Sequence, residues 1–356
     1  MSLYVDIKKR YKDFTLEVAF TNELGTLGLL GASGSGKSMT LKCIAGLISP
    51  DEGVIRIGDR VLYDSSAKID VKPRLRNVGY LFQNYALFPN MTVKKNIEIA
   101  YRGKPEGRDK IVNEMLARYE LEELKDRYPV NISGGQQQRA ALARIFAYEP
   151  EMILLDEPFS ALDTFLRENM QADLRRIISS YNGDVVMVTH SRDEAYNICD
   201  HLVILESGSP VADGGTVEVF KDPGNVGAAK ITGCKNITKI TVTGETTFIA
   251  DSWGIELDAG VKIMPEHTHV GIRAHDFFPV DAETAAQGTK NTFKVTQEDI
   301  IKGPFENIIV YHADLPEGSS SELKTRPIWW KISSENDGSN VDYLSVDPKD
   351  ILLLAD

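Results

Sequence analysis

Long apolar stretches are missing from this sequence. No run reaches 18 apolar residues, so no transmembrane helix is expected. The opening MSLYVDIKKR lacks the apolar core of a secretory signal, and the chain is read as cytoplasmic. Cysteine is scarce as well. Cys43, Cys199 and Cys234 are odd in number and far apart, which gives neither a disulfide framework nor a zinc-ligand spacing; they are read as reduced and buried. Positive charge is in deficit. The formal net charge is −12, and residues 231–356 hold 20 acidic against 11 basic side chains, leaving 32 and 29 for the first 230. Nonspecific nucleic-acid binding needs clustered Lys and Arg, so nucleic acid is excluded as a partner. A small anion held by backbone N–H groups is not excluded.

What the first 230 residues have is a series of short, continuous apolar runs: Leu27 to Leu30, Val78 to Phe82, Met152 to Leu155, Val185 to Val188 and Leu202 to Leu205. Strands apolar on both faces belong to parallel sheets covered by helices, so this part reads as α/β. Between the second and third runs, Ile111, Val112, Met115, Leu116 and Tyr119 recur at helical spacing and mark a helical insert over about 87–147. After about Lys230 the texture changes to β-rich segments such as ITKITVTGETTFIA and FENIIVYHA, separated by Gly, Asn, Asp and Ser clusters. The expected division is 1–230 and 231–356, the second a small all-β, OB-like barrel. Gly233-Cys234-Lys235-Asn236 and Gly288-Thr289-Lys290-Asn291 echo one another, each opening a strand-like run, which suggests two related halves.

The chemistry concentrates at the ends of the apolar runs. GASGSGKS, comprising Gly31, Ala32, Ser33, Gly34, Ser35, Gly36, Lys37 and Ser38, follows the run Leu27 to Leu30 and opens a helical pattern at Met39. Given the share of glycine in proteins, such a four-position match arises by accident in roughly one chain per hundred of this length. The strand before and the helix after turn it from a flexible glycine turn into a phosphate-binding loop. Backbone N–H groups and the helix N-terminus face the phosphates, Lys37 reaches the β/γ oxygens and Ser38 ligates Mg²⁺. Asp156 and Glu157 close the run EMILLDEP, where ligands collect in parallel sheets. Asp156 is placed on Mg²⁺ and Glu157 on the attacking water as general base. A strand-end acid pair is by itself weak evidence; beside the phosphate loop it points to ATP chemistry. His190 ends VVMVTH and Gln83 ends VGYLFQ, two more strand-end groups that carry little signal alone.

NISGGQQQRAALAR, Asn131 to Arg144, adds a second glycine-opened helix. With it the chain resembles the ATP-binding cassette (ABC) ATPase family over about 1–230, because phosphate loop, Gln83, signature, Asp156 with Glu157, and His190 occur in that family's order. The resemblance implies a P-loop NTPase fold with a helical subdomain. It implies a homodimer in which Ser133, Gly134, Gly135 and Gln136 meet the nucleotide held by the other copy. It also implies catalytic roles for Glu157, His190 and Gln83, with Gln83 beside Ser38 and Asp156 at Mg²⁺. SALD matches that family's D-loop, with Ser160 and Asp163 facing the partner, and Tyr11, with Phe14 close by as the alternative, stands where an aromatic stacks on adenine. One departure is Ile132 in place of the more frequent leucine, a volume-conserving change.

An appended β-barrel of this size resembles importer ATPases. The expected function is hydrolysis of MgATP that powers a membrane permease from the inner face of the membrane, supplied by an extracytoplasmic substrate-binding protein. VGIRAHDF resembles a recurring segment of the barrels of importer ATPases for sugars and oxyanions, whereas GCKNITKI, GTKNTFKV and PIWWKIS resemble the barrels of molybdate and tungstate importers, as do VLYDSS and LFQNYALFPNMTVKKN in the cassette. On that likeness Lys290, Asn291 and Lys331 are expected to face an oxyanion, against the ordinary reading of solvated strand residues. A sulfate, ferric-ion or sugar importer is the alternative within transport. A soluble ABC ATPase of DNA repair or translation would carry paired cassettes or coiled-coil arms, and this sequence has one cassette and no sustained heptads. A storage or sensing module with an inactive cassette is at odds with the intact Lys37, Asp156, Glu157 and His190.

Overall fold

The computed structural model describes residues 2–23, 25–160, 162, 164–314, 325–336, 338 and 341–356, with backbone alone at 164–166. The chain divides into two compact units, Met1–Val217 and Glu218–Asp356. The first unit begins β1 (Leu3–Tyr11), β2 (Phe14–Asn22), β3 (Thr26–Leu30), α1 (Lys37–Ala45), β4 (Glu52–Ile57), β5 (Arg60–Asp64), β6 (Ile69–Asp70) and β7 (Val78–Leu81). It continues α2 (Val93–Glu98), α3 (Pro105–Arg118), α4 (Gly134–Ala147), β8 (Met152–Asp156), α5 (Thr164–Ser179), β9 (Asp184–Thr189), α6 (Arg192–Ile198), β10 (His201–Glu206) and β11 (Ser209–Gly215).

Two sheets form from two kinds of strand. In β1, Leu3, Val5 and Ile7 are buried and alternate with less buried residues; in β2, Leu16, Val18 and Phe20 do the same. That period of two gives a half-covered antiparallel sheet, ordered β2-β1-β4-β5-β6. In β3, β8 and β9 every residue is buried, as sandwiched parallel strands require. Their sheet is ordered β11-β10-β3-β9-β8-β7, parallel throughout except for the β10–β11 hairpin. Five strands therefore end on one edge. Between β7 and β8 the helices α2, α3 and α4 pack Val93, Ile97, Val112, Met115, Leu116 and Leu142 into one apolar cluster.

Helix α7 (Thr216–Lys221) spans the division, and α8 (Val226–Ile231) leads to β12 (Asn236–Val242), β13 (Thr247–Ala250), β14 (Ile255–Asp258), β15 (His269–Ile272) and β16 (Phe277–Val280). After α9 (Ala282–Ala286) come β17 (Thr292–Lys302), β18 (Glu306–Ala313), β19 (Ile328–Ser333), β20 (Tyr343–Val346) and β21 (Ile351–Leu354). The ten strands form two antiparallel sheets, β14-β13-β12-β15-β21 and β16-β20-β17-β18-β19, over one apolar core. The pairing repeats. β12 bonds β13 and β15 as β17 bonds β18 and β20, and the fifth strand of each half joins the other half's sheet.

Candidate functional site

Parallel sheets place their functional groups outside the carboxyl ends of the strands. Here β3 runs into Gly31–Ser38, β8 ends on Asp156, β9 stops one residue before His190, and β7 stops two before Gln83. Because β9 lies between β3 and β8, and β7 lies beyond β8, these groups share one edge.

The loop after β3 is built for close approach. A Cβ on Gly31 would lie 2.3 Å from the Leu205 carbonyl oxygen, and Gly36, at φ 100°, would meet Leu16 at 2.5 Å. Helix α1 starts on Gly36 with no side-chain cap and no acidic residue in its first turn, leaving the positive end of its dipole to an incoming anion. Lys37 is 4% exposed, and its Nζ donates to the carbonyls of Gly31 at 2.9 Å and Ala32 at 2.8 Å. Burial pulls its pKa down, while Glu157 and Asp156 push the other way. Ala32, Ser33 and Gly34 are exposed on the loop, Ser35 is buried, and Met39 packs partly against the core.

Asp156 is held at both oxygens: Ser38 Oγ donates to Oδ1 and the Tyr80 hydroxyl to Oδ2, each at 2.7 Å. A hydroxyl and a carboxylate side by side are the protein oxygens that Mg²⁺ takes when phosphate and water complete its shell. Among the described residues no cluster of three His, Cys, Asp or Glu side chains could hold a metal alone. The donor set fits a cation brought in with a polyphosphate. Burial and the adjacent carboxylate raise the Tyr80 phenol far above its ordinary pKa, so it is a permanent donor.

Glu157 has φ 46°, a left-handed conformation that costs a side-chain-bearing residue energy and concentrates at working sites. Its backbone is pinned on both sides. The N–H donates to Val188 O at 3.0 Å, and Ser160 donates to its carbonyl through N at 3.2 Å and Oγ at 2.9 Å. The carboxylate meets His190 Nδ1 at 3.3 Å. Behind His190, Thr189 Oγ donates to the buried Glu194 and accepts the Ser191 N–H at 3.0 Å, fixing the turn that carries the imidazole. Burial raises the Glu194 pKa. Sequence reasoning missed Tyr80, Thr189 and Glu194, and it read Ser160 only as a partner contact.

Other expected residues stand apart. Among the described residues Gln83 makes no hydrogen bond or ion pair, and it is exposed. Just beyond it, Tyr85 (φ 60°) and Ala86 (φ 43°) are both left-handed, held by Arg144 through bonds of 3.0 and 2.7 Å to their carbonyls. Tyr11 is 61% exposed, while Phe14 packs against the core. At the start of α4 the side chains of Ser133 and Gln136 bond each other's backbone, while the N–H groups of Gly134 and Gly135 are not part of that pairing. Ser133 Oγ accepts the Gln136 N–H at 3.4 Å and Gln136 Oε1 accepts the Ser133 N–H at 3.0 Å, a reciprocal capping box that engages both side chains. Ser133 is still exposed; Gly134 is half-buried and Gly135 buried. Asp163 lies outside the described residues.

In the second unit the residues expected to face an anion make bonds to protein groups. Asn291 accepts the Asp258 N–H at 2.6 Å and donates to the Asp258 carbonyl at 2.9 Å, while Lys290 pairs with the Asp258 carboxylate at 2.7 Å. Lys331 is paired with Glu306. The echo residue Asn236 repeats the clamp on Trp329, accepting its N–H at 2.7 Å and donating to its carbonyl at 2.9 Å. The repeated asparagine thus stands in for a peptide group, tying the start of one half to a strand of the other.

Residues 17–160 match the family model for ABC transporters. The chain is 34% identical over 349 residues, 93% of this chain and 95% of the relative, to a sulfate/thiosulfate import ATP-binding protein of Brucella melitensis. A molybdenum import ATP-binding protein of Paramagnetospirillum magneticum is 34% identical over 62% of this chain and 61% of its own length. A spermidine/putrescine import ATP-binding protein of Oleidesulfovibrio alaskensis is 36% identical over 69% and 63%. Among solved structures, a dimeric ATP-binding cassette in a post-hydrolysis state with ADP and Pi matches with a TM-score of 0.51 and 30% identity, covering 61% of this chain and 99% of that one.

Proposed function

The chain belongs to the ABC transporter family as an ATP-binding import subunit that hydrolyses ATP with Mg²⁺. From that premise we propose that two copies close around two MgATP molecules and power uptake of a tetrahedral oxyanion of the sulfate class through a membrane permease. The observation that carries the substrate class is likeness to a sulfate/thiosulfate importer subunit along almost the whole chain, including the second unit. We read the site at the inner face of the membrane, with an extracytoplasmic binding protein delivering the anion.

In this reading Lys37 leaves its loop carbonyls for the β/γ phosphate oxygens, and the uncapped start of α1 receives the same charge. Ser38 and Asp156 hold Mg²⁺, which supplies charge neutralisation at the terminal phosphates. Glu157 takes the proton of the attacking water, and His190, bonded to it, orients the carboxylate and faces the γ-phosphate. Gln83 joins them when the site closes. Ser133 leaves its capping box to meet the nucleotide of the other copy, with Gly134, Gly135 and Gln136; Ser160 and Asp163 line the same junction, and Tyr11 stacks on adenine. A groove of about 520 Å³ lined by Phe82, Phe88, Ile99, Arg144 and Tyr148 opens beside Gln83. Phe88 and Ile99 are exposed there, as a surface that receives a helix of the permease should be.

Molybdate or tungstate is the second reading, favoured by the GCKNITKI, GTKNTFKV and PIWWKIS segments and by the molybdenum relative. Uptake of radiolabelled sulfate, molybdate and spermidine, in cells lacking this chain and in cells given back the wild type or Lys37→Ala, separates the readings. Sulfate uptake restored by the wild type alone supports the proposal. Restoration of molybdate uptake alone supports the second reading, and restoration of spermidine uptake alone refutes both.

A further inference from the structure

Among the described residues Ser38 and Tyr80 hydrogen-bond the Asp156 carboxylate, and the proposed function gives Tyr80 no task. It sits on β7 with its Cα opposite Leu154 of β8, so its side chain leaves the sheet two residues short of Asp156 in register. The ring is fixed against Phe82, with centroids 4.3 Å apart and planes at 40°, and it forms part of the wall of the groove beside Gln83. Its hydroxyl reaches back to Asp156 Oδ2 at 2.7 Å.

The geometry assigns Asp156 a two-point mount. One hydrogen bond would leave a carboxylate free to turn about its Cβ–Cγ bond; bonds at both oxygens set its plane. Of the two holders, Ser38 is itself a proposed metal ligand, so its bond to Oδ1 has to adjust as the cation arrives. Tyr80 has no such second duty. We propose that Tyr80 is a positioning residue for Mg²⁺, its hydroxyl holding the Asp156 carboxylate in the orientation that receives the metal and its waters. The inference rests on the reading of Asp156 as the carboxylate at Mg²⁺. An outer partner of this kind saves the carboxylate from being ordered at the moment of binding, and removing one commonly weakens metal binding about 10- to 100-fold.

The hydroxyl can be removed without the ring. Tyr80→Phe keeps the contact with Phe82 and the groove wall, so it isolates the bond to Asp156. Equilibrium binding of a fluorescent ATP analogue to the full chain, in Mg²⁺ and in EDTA, reads the effect apart from turnover. The expected result is that the gain in nucleotide affinity on adding Mg²⁺ shrinks by about tenfold, the half-saturating Mg²⁺ for ATPase activity rises by a similar factor, and binding in EDTA stays within about twofold of wild type. Tyr80→Met, equally without a hydroxyl, must reproduce the change if Tyr80→Phe folds poorly. A Mg²⁺ response within about twofold of wild type overturns the proposal, and so does an equal loss of affinity with and without Mg²⁺, which is what a merely loosened strand end gives. Asp156→Asn keeps the two failures apart. If it responds normally to Mg²⁺, the metal assignment of Asp156 is what has failed; if it loses the response while Tyr80→Phe keeps it, Tyr80 has no positioning role.

Discussion

The paired asparagine clamps make a quantitative claim about the second unit. Asn236, 2% exposed, donates to Ile272 O at 3.2 Å and Trp329 O at 2.9 Å and accepts from Trp329 N at 2.7 Å. Asn291, 8% exposed, makes two bonds to the backbone of Asp258 and has φ 55°. At about 1 kcal/mol for each bond, Asn236→Ala costs about 3 kcal/mol. Asn291→Ala loses about 2 kcal/mol of bonding and a further ~1 kcal/mol because alanine is disfavoured in a left-handed conformation. Asn291→Gly escapes the second loss and should be the milder variant. All three tryptophans, Trp253, Trp329 and Trp330, lie in the second unit, so fluorescence-monitored urea unfolding of the full chain reports on that unit selectively. With a slope of about 2 kcal/mol/M, a loss of 3 kcal/mol lowers the midpoint by ~1.5 M. Lys290→Ala should shift it by less than about 0.3 M, because its ion pair is exposed. Asparagine variants that unfold with the wild type, or a lysine variant that unfolds well before it, would refute the clamp and reopen the reading of these residues as anion donors.

Three further outcomes follow from the first unit. Lys37→Ala should weaken MgATP binding about tenfold or more in equilibrium titrations, since the phosphate charge loses its buried partner, and unchanged affinity would contradict the phosphate-loop reading. Ser160→Ala removes one of the two bonds to the carbonyl of the left-handed Glu157 and keeps the backbone one; steady-state kinetics should show kcat lower by about tenfold with the KM for ATP unchanged, and an unchanged kcat would show that the Ser160 hydroxyl positions nothing. Leu154→Ala empties a fully buried site between the parallel strands and should destabilise the first unit by about 2–5 kcal/mol, read by far-ultraviolet circular dichroism during unfolding.

The parallel sheet was legible because β3, β8 and β9 are buried on both faces, and that environment favours the continuous apolar runs seen in the chain. The antiparallel sheet of β1 and β2 was not singled out, although Leu3, Val5, Ile7 and Leu16, Val18, Phe20 alternate as a half-covered sheet requires. Its polar face dilutes the signal among charged residues. The residues of the site could be named where local spacing carries the chemistry, as in Gly31–Ser38. Contacts made across strands could not. Nothing near Tyr80 in the chain announces a bond to Asp156, and nothing near Glu157 announces a left-handed backbone held by Ser160. The repeat of Asn236 and Asn291 was visible, but its bonds to Trp329 and Asp258 were not, because those partners lie far along the chain in the opposite halves.

The central claim is that this chain hydrolyses MgATP at sites that a second copy completes, with Glu157 activating the water. Sedimentation of the Glu157→Gln variant, with and without saturating MgATP, tests it most directly, because the variant keeps Lys37, Ser38 and Asp156 while losing the carboxylate proposed to activate the water. The account predicts a species of twice 39.5 kDa in MgATP, monomer in EDTA, and little turnover. A variant that stays monomeric in MgATP, or that hydrolyses ATP at close to the wild-type rate, would contradict it.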